Sequence, residues 1–104
     1  MLSLRSELEN IVHSIGINYM PEKIILYGSL AAGVETEDSD IDLLVIKDTD
    51  KDPWSRVTEV DRFIDHQVPV DILVYTPKEL EERLKMHDFF VKDILENGKV
   101  VYEK

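Results

Sequence analysis

The chain contains no cysteine, which excludes disulfide bonds, thiolate nucleophiles and thiolate zinc sites, and suits a reducing cytoplasm. It has no apolar run of membrane-spanning length, and its start, Met-Leu-Ser-Leu-Arg-Ser-Glu-Leu-Glu-Asn, lacks the apolar core of a signal peptide. A soluble cytoplasmic protein is expected. Basic residues are scarce: 12 lysines and arginines stand against 22 aspartates and glutamates, for a net charge of −10. Affinity for a polyanion comes largely from basic side chains releasing counterions, so direct nucleic-acid binding is not expected. The acidity instead keeps a small domain soluble, supplies metal ligands or meets a basic partner. No repeat, low-complexity segment or internal boundary interrupts the 104 residues. At 43% hydrophobic they make one domain, 1–104, with one core and little left for a second substrate-binding lobe.

Apolar side chains at Leu4, Leu8, Ile11, Val12 and Ile15 recur at helical spacing after the potential N-caps Ser3 and Ser6. Pro21 breaks the chain before Lys23-Ile24-Ile25-Leu26-Tyr27, a β-branched and aromatic run that reads as a buried strand ending at Gly28. A short helix or turn over Ser29 to Ala32 and a polar loop lead to a second strand, Ile41 to Ile46. Trp54 to His66 reads as a helix, and Val68 to Tyr75 as a third strand with Asp71, Leu73 and Tyr75 on one face. Thr76-Pro77-Lys78-Glu79 combines a capping threonine, proline at the first helical position and glutamate three residues after the cap. A helical stripe through Leu80, Leu84, Val91, Ile94 and Leu95 runs on to the stop at Asn97-Gly98, after which Val100-Val101-Tyr102 offers an edge strand.

The chemistry is concentrated between Tyr27 and Ile46. Gly28 permits a sharp turn after an apolar strand, and Ser29 can open a short helix whose free N–H groups and hydroxyl face an anion. Ten residues later Asp40 and Asp42 stand two apart at the head of a strand. Both carboxylates therefore leave the same face, roughly 7 Å apart at the backbone. They repel unless a cation lies between them. Asp71 interrupts Val68-Pro69-Val70-x-Ile72-Leu73-Val74, where an apolar residue would be the simple choice, and a buried strand aspartate needs a partner. If its strand lies beside that of Asp40 and Asp42, three carboxylates converge, enough oxygen for one or two Mg²⁺ ions with nucleotide phosphates. That geometry suits phosphoryl or nucleotidyl transfer.

Gly28-Ser29, ten residues, then Asp40-Ile41-Asp42-Leu43-Leu44-Val45 resembles the signature of the DNA polymerase beta-like nucleotidyltransferases, and more narrowly the minimal nucleotidyltransferases. The resemblance runs through Val70-Asp71-Ile72 to Ile94-Leu95-Glu96-Asn97-Gly98-Lys99-Val100-Val101-Tyr102. It implies an α/β (α+β) fold, a short mixed β-sheet with helices packed mainly on one face. It also implies that Gly28 and Ser29 hold the triphosphate of ATP and that Asp40 and Asp42 hold the metals bridging its phosphates. Asp71 would bind the catalytic Mg²⁺ and help deprotonate the attacking hydroxyl.

Short proteins of this kind are often antitoxins paired with a HEPN-domain ribonuclease toxin, so the implied reaction is transfer of AMP from ATP to a hydroxyl, a tyrosine of that partner. Two other functions compete: an acidic module that masks a basic ribonuclease, and a transferase acting on a small hydroxyl compound. One departure bears on the choice. The family commonly carries basic residues after Gly-Ser, as in Gly-Ser-Arg-Ala-Arg-Gly, whereas this chain has Leu30 and Ala32.

Three further patterns carry no chemistry. Asp48-x-Asp50-x-Asp52 imitates a calcium loop, but Pro53 occupies the place where such a loop needs glycine. Trp54 is expected to pack at a helix start. His13, His66 and His87 are scattered without paired ligand spacing.

Overall fold

The computed structural model describes residues 3–33, 40–66 and 68–104. The first helix, α1 (Leu4–Tyr19), is capped by the Ser3 side chain, which accepts from the Ser6 N–H, and ends at Met20 in the left-handed region. Strands β1 (Lys23–Tyr27) and β2 (Ile41–Ile46) come next in the chain. Helix α2 (Pro53–Asp61) starts on Asp52, whose carboxylate accepts from the Ser55 N–H and hydroxyl, so the third aspartate of the calcium-like pattern serves as a cap. Strand β3 (Val70–Tyr75) and helix α3 (Pro77–Lys85) follow, joined by the capping box expected at Thr76 and Glu79. Helix α4 (Phe89–Asn97) and strand β4 (Lys99–Glu103) complete the order.

The expected continuous stripe from Leu80 to Leu95 is two helices. His87 adopts a positive φ of 58°, and Asp88 starts α4 by accepting from the N–H groups of Phe90 and Val91. The reversal lets Leu80 of α3 and Val91 and Ile94 of α4 be buried, while Leu84 and Leu95 are left partly exposed. Helix α2 is shorter than the 54–66 span expected, and Trp54 is 81% exposed rather than packed. The expected polar loop falls on residues 34–39, outside the described residues.

The sheet has the order β3-β2-β1-β4: β1 pairs antiparallel with β2 and β4, and β2 pairs parallel with β3. It is mixed and short, as expected. Alternation along the strands sends Ile24, Leu26, Ile41, Leu43, Val45 and Val74 to the face covered by α1 and α2, where Ile11, Val12, Ile15 and Val60 meet them. Ile25, Leu44 and Ile46 point the other way, onto Leu80, Val91 and Ile94 of α3 and α4. The heavier helical layer lies on the first face, as the expectation of one dominant face implies, but α3 and α4 cover part of the second. Helix α4 reaches the end of β1, where Phe90 meets Tyr27 and where the polar residues Asp42 and Asp71 lie in the same row.

Buried Arg56 ties the layers at their edge. It donates to Glu79 at 2.6 and 3.3 Å, to the Val74 carbonyl at 3.2 Å and to the Lys51 carbonyl at 2.6 Å. Among the described residues no helix is long and apolar enough to cross a membrane.

Candidate active site

Register brings the candidate residues together. Tyr27 of β1 pairs with Asp42 of β2, and Asp42 pairs with Asp71 of β3, so three strands present Tyr27, Asp42 and Asp71 in one row. Side-chain parity puts that row on the α3/α4 face, with Leu44, Ile25 and Leu73 of the next row beneath it in the apolar cluster. Asp40, immediately before β2, shares the parity of Asp42. The ladder reaches back toward it through the Ile41 N–H, which donates to the Pro69 carbonyl at 3.0 Å.

Asp71 is not the buried strand aspartate expected from its apolar neighbours. It is exposed, because β3 is the outer strand on its side of the sheet and α3 and α4 do not reach that far along its face. The parallel register of β2 and β3 sets Asp71 directly beside Asp42.

The Gly-Ser segment is a turn rather than a helix. The Ala32 N–H donates to the Gly28 carbonyl at 3.2 Å and the Gly33 N–H to the Leu30 carbonyl at 3.2 Å. Gly28 has φ of 80°, in the left-handed region, and a Cβ built there would overlap Asp42 Oδ2 and lie 3.4 Å from its Cγ. Glycine thus serves the turn and the carboxylate at once. Ala31 is buried and Leu30 packs against the α1/α2 core cluster, which pins the turn from below. Ser29 stays exposed at its top.

The electrostatics follow from crowding. Partial burial raises the Asp42 carboxyl above the ordinary aspartate range, and the charges of Asp71 and then Asp40 push it the same way. The Tyr27 phenol is pushed up to about 12, by burial first and then by Asp42, Asp71 and Tyr75. At neutral pH Tyr27 is therefore a neutral O–H donor beside a row of carboxylates.

This donor set is all oxygen and carries excess negative charge, which is the chemistry a hard divalent cation such as Mg²⁺ takes. Gly28, lacking a Cβ, lets the Asp42 carboxylate sit directly against the turn backbone. Among the described residues no three His, Cys, Asp or Glu side chains already close on one point. The carboxylates fit a cation as donors brought to one end of one face, not as a finished cage.

Beside the turn, Gly28, Ser29 and Ala32 form one wall of a cleft of about 380 Å³ whose other wall is Asp93 and Asn97 of α4. A larger hollow of about 970 Å³ lies along α2 from Asp50 to Phe63, away from the carboxylate row. Volume does not mark the site here; charge and register do.

Comparison with known proteins follows this geometry. The profile of the nucleotidyltransferase domain matches residues 5–101. The chain belongs to the nucleotidyltransferase-domain family. A Methanocaldococcus jannaschii protein named "Putative protein adenylyltransferase MJ0604" is 35% identical over 83 residues, 78% of each chain. A Sulfolobus solfataricus protein whose crystal structure is described as that of "a putative nucleotidyltransferase" superposes with a TM-score of 0.66 over 94% of this chain and 78% of its own. At 23% identity it supports the fold. The polymerase beta-like assignment read from Gly28-Ser29 and Asp40-Ile41-Asp42 is thereby upheld, and nucleotidyl transfer is the activity of this domain class.

Sequence reasoning passed over Tyr27 as a strand residue, because only pairing register reveals that it flanks Asp42. It also passed over Arg56, although Glu79 in the capping box was the visible half of that pair. A long cationic side chain in the middle of an otherwise ordinary helix gives no sign that it will be buried.

Proposed function

We propose that residues 1–104 act as a single minimal domain that transfers AMP from ATP to a tyrosine hydroxyl of a HEPN-type toxin, and so serve as its antitoxin in the cytoplasm. The observation that carries the reading is the Asp71–Asp42–Tyr27 row beside the Gly28-Ser29 turn. The name of the M. jannaschii relative, a protein adenylyltransferase, supports a protein as acceptor. The partner class rests on the resemblance to minimal nucleotidyltransferases. The lack of cysteine suits the compartment.

In this reading Gly28 and Ser29 hold the triphosphate through backbone N–H groups and the serine hydroxyl. Asp40, Asp42 and Asp71 hold Mg²⁺, which when bound neutralises the phosphates and the developing charge on the leaving pyrophosphate. Exposed Asp71, at the outer strand, receives the proton of the incoming hydroxyl. Tyr27 keeps its own proton and donates from the side of Asp42. Attack of the acceptor oxygen on the α-phosphorus forms a P–O bond as the bond to pyrophosphate breaks, a displacement that depends above all on positioning.

Incubation with labelled ATP, Mg²⁺ and the product of the adjacent gene is expected to label that product, and Asp40→Asn or Asp42→Asn to abolish labelling. Undiminished labelling by those variants would overturn the metal assignment. A second reading is favoured by one observation: Leu30 packs against the core, at a place where the signature this chain resembles commonly carries a basic residue. It makes the domain an acidic mask for a basic ribonuclease, and substoichiometric neutralisation by the wild type rejects it.

A further inference from the structure

The carboxylate row has an aromatic margin. Against the Tyr27 ring stands Phe90, edge to face, with centroids 5.8 Å apart and planes at 88°. Phe90 lies in the first turn of α4, where the Asp88 carboxylate accepts from its N–H at 3.0 Å and from that of Val91 at 3.2 Å. Val91 is fully buried. The backbone under Phe90 is thus held from both sides while its side chain stays in water, 53% exposed. One edge contact with Tyr27 leaves most of the ring surface open. Such a ring contributes little to the core and carries a desolvation benefit for whatever flat group covers it.

We propose that Phe90, backed by Tyr27, is the platform on which the base of the donor nucleotide stacks. The inference rests on the reading that Gly28, Ser29 and the carboxylates hold the triphosphate. Tyr27 is the side chain next to Asp42 in the row and Phe90 is the ring that Tyr27 touches, so a nucleoside running along the row from phosphates at Asp42 toward β1 meets Phe90. Stacking asks only for a π-face, so the platform binds nucleotides through ring area more than through the identity of ring substituents. Tyr27 has a second part in this arrangement: its phenol faces the carboxylates while its ring braces Phe90.

The experiment is calorimetric titration of the full chain with ATP, and separately with inorganic tripolyphosphate, in Mg²⁺. It compares the wild type with Phe90→Ala and Phe90→Trp, each checked for an unchanged unfolding midpoint in urea. Phe90→Ala is expected to weaken ATP binding roughly tenfold or more, the range of one lost stacking partner, and to leave tripolyphosphate binding unchanged. Phe90→Trp is expected to keep ATP affinity. Equal losses for both ligands, or no loss for ATP, would overturn the platform. Intact ATP binding by Phe90→Ala together with lost labelling of the partner protein would assign Phe90 to the acceptor and overturn it as well. A wild type that binds neither ligand sinks the triphosphate reading itself, whereas a wild type that binds both with Phe90→Ala unaffected sinks the platform alone.

Discussion

Replacing Gly28 with alanine separates the two demands placed on that position. A residue with a Cβ at φ of 80° carries a left-handed penalty of roughly 1–2 kcal/mol. Restricting the unfolded chain returns about 0.4–1 kcal/mol. The net loss of stability is therefore about 1 kcal/mol, or a drop in Tm of roughly 4–8 °C for a domain of this size. The new methyl group meets Asp42 at its carboxylate oxygen, the far end of a side chain, while Asp42 Cγ and Cβ at 3.4 and 3.6 Å remain in ordinary contact. The carboxylate swings away and strand β2 stays where it is. A displacement of about 1 Å in a reacting group costs on the order of 100-fold in rate. Gly28→Ala is thus expected to fold, to unfold in urea only slightly earlier than the wild type, and to lose nearly all transfer of label from ATP to the partner. The reasoning fails if labelling persists near the wild-type rate. It fails equally if stability falls by more than about 3 kcal/mol, since that loss exceeds what the backbone penalty can supply.

Two further substitutions probe charge. Burial, Asp71 and Asp40 raise the Asp42 carboxyl, so its ionised form opposes folding above the ordinary aspartate range, and the opposition fades as pH falls through the raised value. In metal-free buffer at pH 7, Asp42→Asn is expected to gain up to about 1 kcal/mol after allowance for solvent screening. It should lose that gain in acid and bind Mg²⁺ much more weakly, by urea unfolding and metal titration. Arg56→Ala strands Glu79 and two carbonyls around a buried cation site, with an expected cost of about 3 kcal/mol in urea unfolding. The Arg56 hydrogen bond holds the Glu79 carboxyl below the ordinary glutamate range. The stability contributed by this pair is present above that range and disappears as pH falls through the lowered value, an acid-side slope that Arg56→Ala should lack.

Local patterns in the chain are enough to place the helix starts at Ser3 and Thr76, the cores of all four strands and the parity of Asp71 with Leu73 and Tyr75, because each depends on neighbours within a few residues. The break at His87-Asp88 is not visible in the sequence, because the apolar period of α3 and α4 continues across it and only the capping geometry of Asp88 reveals it. The exposure of Asp71 is hidden in the sequence for a similar reason. Flanking valines and isoleucines speak for the opposite face, which does pack on the core, and say nothing about whether β3 has a neighbour beyond it. Tyr27 and Phe90 lie 63 positions apart by their numbers, and their contact depends on long-range docking of α4 on β1.

The row formed by Tyr27, Asp42 and Asp71 makes correct strand pairing audible to selection. Shifting β2 by one residue against either neighbour would turn Asp42 inward among Ile11, Ile15 and Val60 and expose a leucine at the turn end of the other face. The misregistered chain would bury an unpaired carboxylate at a cost of several kcal/mol. The same carboxylate proposed for the site thus also penalises the wrong register of the sheet that carries it.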